Sequence, residues 1–351
     1  MCGGVGSRFW PYSRQRMPKQ FIDFFGTGRS LLQMAVDRIK GIIPDENIYM
    51  ITNEQYAPII AHQLPQLRPE QILKEPARRN TAPCIAWASY HIHALNPDAR
   101  IMVAPSDPLI LRTDEFQRCV LKAFDFIDNH DALLTMGIKP NRPETGYGYI
   151  QVGEQLGDDF SAVKTFTEKP NEELARIFLE SGEFFWNSGM FFWRAGTIIE
   201  TMRNQASDIT AIFDQGLDTF GTDAEADFIA ANFPSCRNIS IDFAVMEKAP
   251  NVYVECVDFG WSDLGTWGAV YDHSPKSDEQ GNVTQGCMAV LNNCRDNMIA
   301  IKGDKLIVAS GLDNYIIADV DDALLIVPRS EEQKIRNYVN EVRTLYGEEY
   351  L

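Results

Sequence analysis

"MCGGVGSRFWPYSRQRMPKQF" (Met1–Phe21) opens the chain with Gly3, Gly4 and Gly6, followed at once by Arg8, Arg14, Arg16 and Lys19, with no acidic residue before Asp23. Successive glycines let backbone N–H groups turn toward an anion without Cβ obstruction, and Arg8 and Lys19 add fixed charge beside such a nest. Two common phosphate loops are excluded. A dinucleotide fingerprint starting at Gly4 needs glycine where Phe9 stands, and no Gly-Lys-Ser/Thr follows to build an ATPase loop. Terminal charge runs are often solvated arms, but Pro11 and Pro18 stiffen this one, and Phe9, Trp10 and Phe21 supply apolar anchors.

The leader's charge runs against the rest of the molecule. The 351 residues carry a net charge of -17, which excludes nucleic acid as a bulk partner, because non-specific binding to a polyanion needs a basic face. A phosphorylated small molecule fits, provided the positive charge is gathered locally. With 45% hydrophobic residues the chain can bury a large core. The seven cysteines lie far apart with no Cys-x-x-Cys spacing, so neither a disulfide framework nor a zinc site is expected. No run of eighteen apolar residues occurs and the first twenty residues lack a secretory apolar stretch, which points to a cytoplasmic protein outside the membrane.

Short β-rich runs alternate with helical patterns from Ser30 to about Ile239. Strands are expected at Asn47–Thr52, Arg100–Asp107, Ala132–Ile138 and Gly148–Val152, and helices at Leu31–Ile39, Ala82–His93 and Glu115–Asn129. This alternation predicts an α/β sheet with helices on both faces and ligands at the carboxyl ends of strands. The polar stretch Ser274–Gly286 marks a boundary, giving an expected large domain over 1–273 and a small domain over 274–351. In the latter, "MIAI" (Met298–Ile301), "LIVA" (Leu306–Ala309), "YIIA" (Tyr315–Ala318) and "ALLIV" (Ala323–Val327) start eight or nine residues apart. Each is too short to stand alone, so stacking into a small β-solenoid is the expectation, with a β-sandwich fragment as the alternative. In Glu331–Tyr346, Ile335, Tyr338, Val339, Val342 and Leu345 form one apolar helical face.

Met1–Phe21 resembles the signature of the mannose-1-phosphate guanylyltransferases, a branch of the sugar-nucleotide pyrophosphorylases: Gly-Gly, a spacer, Ser/Thr-Arg, Trp-Pro-x-Ser-Arg, then Pro-Lys-Gln-Phe. The likeness continues in order through "EPARRNTAP" (Glu75–Pro83), "PSD" (Pro105–Asp107), "TGYGYI" (Thr145–Ile150), "FTEKP" (Phe166–Pro170), "WNSGMF" (Trp186–Phe191), "SIDFAVMEK" (Ser240–Lys248) and "WSDLGTW" (Trp261–Trp267). The resemblance implies a Rossmann-like mixed nucleotidyltransferase sheet of the glycosyltransferase-A type, with a small C-terminal left-handed β-helix-like domain. In this family the glycine loop follows a first strand, and only Met1 and Cys2 precede it here. The expectation is that the native polypeptide begins upstream, with Met1 inside that strand.

By the same resemblance, the reaction joins GTP to α-mannose 1-phosphate, giving GDP-mannose and pyrophosphate. Both reactants are anionic, so catalysis should rest on alignment and charge neutralisation rather than proton transfer. Gly3 and Gly4 would approach the triphosphate, Arg8 would hold the leaving pyrophosphate, and Lys19 would bridge the α-phosphate and the sugar phosphate. Glu75, Asn80 and Thr81 would meet the guanine edge, with Ser106 also at the nucleotide; Asn80-Thr81 can equally cap the following helix. Gly146, Glu168, Lys169 and Asn187 would read the sugar and its phosphate. Asp107 and Asp263 together suit Mg²⁺, with phosphate oxygens and water completing its shell, although a lone Asp at a strand end equally suits a helix N-cap. Alternatives are a nucleotidyltransferase for another hexose 1-phosphate and a non-catalytic sugar-nucleotide sensor. The apolar helix is expected to dock on the catalytic domain or on a second subunit, and together with the β-repeat it suggests a homodimer surface.

Overall fold

The computed structural model describes residues 1–4, 6–157 and 159–351. Its contacts divide the chain into two compact units: Met1, Arg38–Pro105 and Ile110–Trp261 form the first, and Cys2–Asp37, Ser106–Leu109 and Ser262–Leu351 form the second. The contacts thus group the leader with the C-terminal stretch, a partition that differs from a cut at 273/274.

The first unit is built on a six-stranded mixed sheet in the order Arg100–Val103, Phe184–Arg194, Leu133–Ile138, Val252–Val257, Phe160–Glu168 and Gly148–Leu156. Leu133–Ile138 and Val252–Val257 run parallel, and the other pairings in this sheet are antiparallel. A separate parallel pair joins Met50–Asn53 to Ile72–Glu75. Strand residues alternate between two cores, as the period of two requires. Leu133, Phe191 and Trp193 pack with residues of the helices Thr81–Leu95 and Ala195–Gln205. Leu134, Met136, Ile138 and Phe192 pack with residues of Thr113–Asn129 and Glu172–Ser181. Both faces are covered, as the alternation of runs predicts.

One buried group is costly. Glu255, on a central strand, is almost wholly buried; its Oε2 has no hydrogen-bond partner among the described residues. Burial pushes its carboxyl up to about 8, so it is largely protonated at neutral pH.

In the second unit, Val283–Asn292, Met298–Ser310 and Tyr315–Val320 stack in parallel, and Ala323–Pro328 returns antiparallel. Stacked partners lie 15 residues apart at Val283 and Met298 and 18 apart at Met298 and Ile316. The solenoid expectation needs one correction: the runs Met298–Ile301 and Leu306–Ala309 lie within a single strand, so one coil spans two of the short repeats. At Gly286, a positive φ of 68° and a site where an added Cβ would lie 2.1 Å from Ile301 O make a side chain untenable.

The coil is closed by two fully buried asparagines. Asn297 Nδ2 donates to Asn282 Oδ1 (2.8 Å) and Leu312 O (2.9 Å); Asn282 Nδ2 donates to Cys294 O (2.9 Å) and Asp278 Oδ2 (2.8 Å). Tyr315 N donates to Asn297 Oδ1 at 2.8 Å, so the buried amides are satisfied. The helix Ile335–Tyr346 docks Ile335 and Val339 into this unit's own core beside Phe9, Trp10 and Trp267. Among the described residues no helix is long and apolar enough to cross a membrane, and no disulfide joins the seven cysteines.

Candidate functional site

In the second unit, the anchors expected in the leader are buried: Phe9, Trp10 and Phe21 are at most 8% exposed. They fix a chain whose four cations have separate fates. Arg14 is buried; its Nε donates to Pro11 O (3.0 Å), and a guanidinium nitrogen lies 2.6 Å from Asp322 Oδ1. Arg16 is exposed and only grazes Asp321 at 3.9 Å. Arg14 ties the leader to the turn before Ala323–Pro328, and Arg16 lies beside the same turn.

Lys19 is also buried, but its ammonium reaches Asp107 Oδ2 at 3.0 Å and Asp263 O at 2.5 Å. Gly6 makes this possible. Its φ is 76°, and a Cβ there would lie 2.6 Å from Lys19 Cβ, so the lysine stem runs against the bare glycine. Gly3 and Gly4 are exposed, with open space where side chains would stand. Arg8 is half-buried, and its Nε lacks a hydrogen-bond partner among the described residues.

Asp107 lies beyond its strand. Arg100–Val103 ends four residues earlier, so the expected strand reaching Asp107 is corrected to a loop. Nor is Asp107 a helix cap: the next helix begins at Thr113 with Arg112 at its N-cap. Ser106 is buried and takes the Cys2 thiol as hydrogen-bond partner, which joins the start of the leader to the Asp107 loop. Asp263 Oδ1 accepts from Gly265 N at 3.0 Å, and Leu264 beside it has a positive φ of 45°. Lys169 and Leu264 are the only residues other than Gly, Asn and Asp with positive φ among the described residues. Backbone held in that region concentrates at functional sites. Asp107 and Asp263 offer hard oxygens that converge on one cation, Lys19, although no three His, Cys, Asp or Glu side chains gather as a metal-binding group among the described residues.

The remaining expected residues belong to the first unit. Asn80 is the N-cap of Thr81–Leu95; its side chain accepts from Thr81 N at 2.9 Å, while Thr81 Oγ1 accepts from Ile241 N at 2.8 Å. Asn80 itself stays exposed. Glu75 ends the strand Ile72–Glu75, and burial pushes its carboxyl up to about 7.

Glu168 and Asn187 come together over Gly148. A Cβ on Gly148 would lie 2.6 Å from Glu168 Oε2 and 3.4 Å from Asn187 Cβ. Lys169, at φ 48°, pairs its ammonium with Glu168. Gly189 N donates to Asn187 Oδ1 at 3.1 Å, which fixes the amide's orientation and turns Nδ2 to Asp242 Oδ1 at 2.9 Å. Gly146 donates its N–H to Glu144 Oε1 at 3.0 Å.

Three positions escape a reading of the sequence. Gly6 and Gly148 act through absent side chains, and Asp242 sits in "SIDFAVMEK", a motif with no residue role attached to it above. Asp242 begins a π-helical turn, Asp242–Met246; lost solvent and then neighbouring Glu168 push its carboxyl up to about 6. π-helical turns recur at functional sites, which is the signal that only backbone geometry could give.

Comparison with known proteins bears on the family of the chain. The nucleotidyl transferase family model matches residues 1–280. A mannose-1-phosphate guanylyltransferase of Klebsiella pneumoniae is 38% identical over 358 residues, covering 100% of this chain and 74% of the relative; one from Escherichia coli is 37% identical with the same coverage. The crystal structure of a mannose-1-phosphate geranyltransferase from Thermus thermophilus superposes with a TM-score of 0.86 at 26% identity, covering 98% of each chain.

Proposed function

Because the chain belongs to the mannose-1-phosphate guanylyltransferases of the nucleotidyl transferase family, we propose that it transfers GMP from GTP to α-D-mannose 1-phosphate. The products are GDP-mannose and pyrophosphate. The observation that carries this reading is the ammonium of Lys19, buried and held between the Asp107 carboxylate and the Asp263 carbonyl.

A phosphate oxygen of the sugar phosphate attacks the α-phosphorus of GTP, and the bond to the oxygen bridging toward the β-phosphorus breaks. Its electron pair leaves on pyrophosphate. No proton must change hands, so the protein's part is to align two anions and neutralise their charge. Lys19 spans the two reacting phosphates, Arg8 meets the departing one, and the exposed Gly3 and Gly4 let the backbone approach the triphosphate. Ser106, buried against Cys2, steadies the Asp107 loop at the nucleotide. Glu75, Asn80 and Thr81 meet the guanine edge, where an ionised Glu75 accepts from the base's N–H donors. Gly146, Glu168, Lys169 and Asn187 serve the hexose phosphate.

Asp107 and Asp263 are the residues to hold Mg²⁺. Their hard oxygen donors would suit it, with phosphate and water as the further ligands. When bound, the ion supplies charge neutralisation at the phosphates.

On this reading residues 1–273 carry the transferase and 274–351 the β-helix-like domain with its terminal helix; the family match over residues 1–280 supports that division. Met288 beside Leu306 and Val290 beside Val308 present exposed apolar side chains from neighbouring strands, which supports pairing with a second copy. This reading takes the protein to be cytoplasmic. A sensor without catalysis would not need Arg8, Lys19 and the two aspartates together.

Pyrophosphate release measured across a panel of nucleoside triphosphates and hexose 1-phosphates tests the assignment. GTP with mannose 1-phosphate should be the fastest pair; release at background level for that pair would overturn it.

A further inference from the structure

Arg336 is the second residue of the helix Ile335–Tyr346 and is exposed. That helix packs against the turn Ser7–Phe9, and Ile335 shares a buried cluster with Phe9. The residues flanking these two apolar anchors are Arg336 and Arg8, so the packing brings two guanidinium groups into one neighbourhood of the second unit. Lost solvent and the positive charge of Arg8 lower the Arg336 pKa.

Among the described residues neither arginine has an acidic partner, although the chain carries 49 acidic residues against 32 basic ones. The other leader cations, Arg14, Arg16 and Lys19, each face a carboxylate. Two like charges held together without a counter-charge raise the free energy of the protein unless an anion joins them. With acids so abundant, their absence at this spot leaves the counter-charge to a ligand. Guanidinium groups bind phosphate oxygens in bidentate fashion, and a pair of them matches two linked phosphates better than one.

Resting on the reaction proposed above, we infer that Arg336 and Arg8 together hold the β- and γ-phosphates of GTP and keep hold of them as pyrophosphate leaves. The bond formed joins the sugar-phosphate oxygen to the α-phosphorus. The bond broken is that from the α-phosphorus to the bridging oxygen, and both arginines stay protonated throughout. The terminal helix thereby contributes a ligand to the leaving group, in addition to closing the core beneath the leader.

The test uses the full chain with Mg²⁺ and inorganic pyrophosphate as the probe. Calorimetric titration of wild type, Arg336→Gln and Arg336→Lys should give a pyrophosphate Kd raised about tenfold by glutamine and largely restored by lysine. In the reverse reaction, Arg336→Gln should raise KM for pyrophosphate about tenfold while KM for GDP-mannose stays within about twofold, with thermal stability in the absence of ligand not lowered, because one of the two repelling charges is gone. A merely structural role would move both KM values together, and that result would overturn the inference. So would pyrophosphate binding that is absent in wild type or indifferent to Arg336→Gln. If wild type binds pyrophosphate through Arg336 yet does not turn over GTP with mannose 1-phosphate, the inference stands and the substrate assignment falls.

Discussion

Arg14 and Lys19 stand five residues apart in one leader, both cationic and both buried, yet they sit in different kinds of place. Arg14 is enclosed by Pro11 O and Asp322, groups that fasten one loop to another. Lys19 is enclosed by a carboxylate and a carbonyl on two loops that converge on it, one of them bearing a left-handed Leu264. On the proposed function, the difference teaches that positive charge in the leader divides between charge that builds the site and charge that serves it. Which is which depends on the oxygens each cation meets.

The comparison breaks first at Lys19. Lys19→Ala should lower kcat about a thousandfold while changing nucleotide affinity less than about fivefold, measured by single-turnover kinetics and nucleotide titration. Equal losses in both would make Lys19 another anchor. Gly6→Ala sharpens the point, because it keeps the ammonium but crowds its stem; kcat should fall about thirtyfold. Unchanged turnover would mean that the lysine's seat is unimportant.

For Arg14→Ala the loss should appear in stability, about 2 kcal/mol in denaturant unfolding, with kcat per folded molecule within about threefold. The pH dependence has a definite sign. Arg14 holds the Asp322 carboxyl below its usual range, so this contribution is present above the ordinary Asp pKa and is lost as pH falls through the depressed value. The difference between wild type and Arg14→Ala should therefore shrink in acid, and a difference that grows there would contradict the pairing. Arg16→Ala, at an exposed 3.9 Å contact, should change stability by less than about 0.5 kcal/mol and leave turnover alone.

Much of this was legible in the sequence because it depends on local pattern. The helices Thr81–Leu95 and Thr113–Asn129 and the strand Leu133–Ile138 lie within two residues of their expected limits, since apolar periodicity and flanking Asn, Asp and Thr define them. The capping role of Asn80 was likewise readable. Where long-range contact decides, the sequence was silent. Nothing local says that the strand before Asp107 stops at Val103, that Met298–Ile301 and Leu306–Ala309 share one strand, or that Asn282 and Asn297 stack fifteen residues apart. Gly6 and Gly148 look like ordinary loop and strand glycines until Lys19 and Glu168 are seen against them. Asp242 needed its neighbours, Asn187 and Glu168, before its carboxyl became notable.

The buried carboxyl of Glu255 makes the first unit sensitive to rising pH. With its folded pKa raised to about 8, Glu255 favours the native state most below the ordinary Glu range and loses that advantage progressively as pH climbs through 8. Base thus acts on this molecule as a denaturant aimed at one strand. Glu255→Gln should remove that part of the sensitivity, so its melting temperature should fall less than that of wild type between about pH 5 and about pH 8; parallel declines would mean that the carboxyl is not the group responsible.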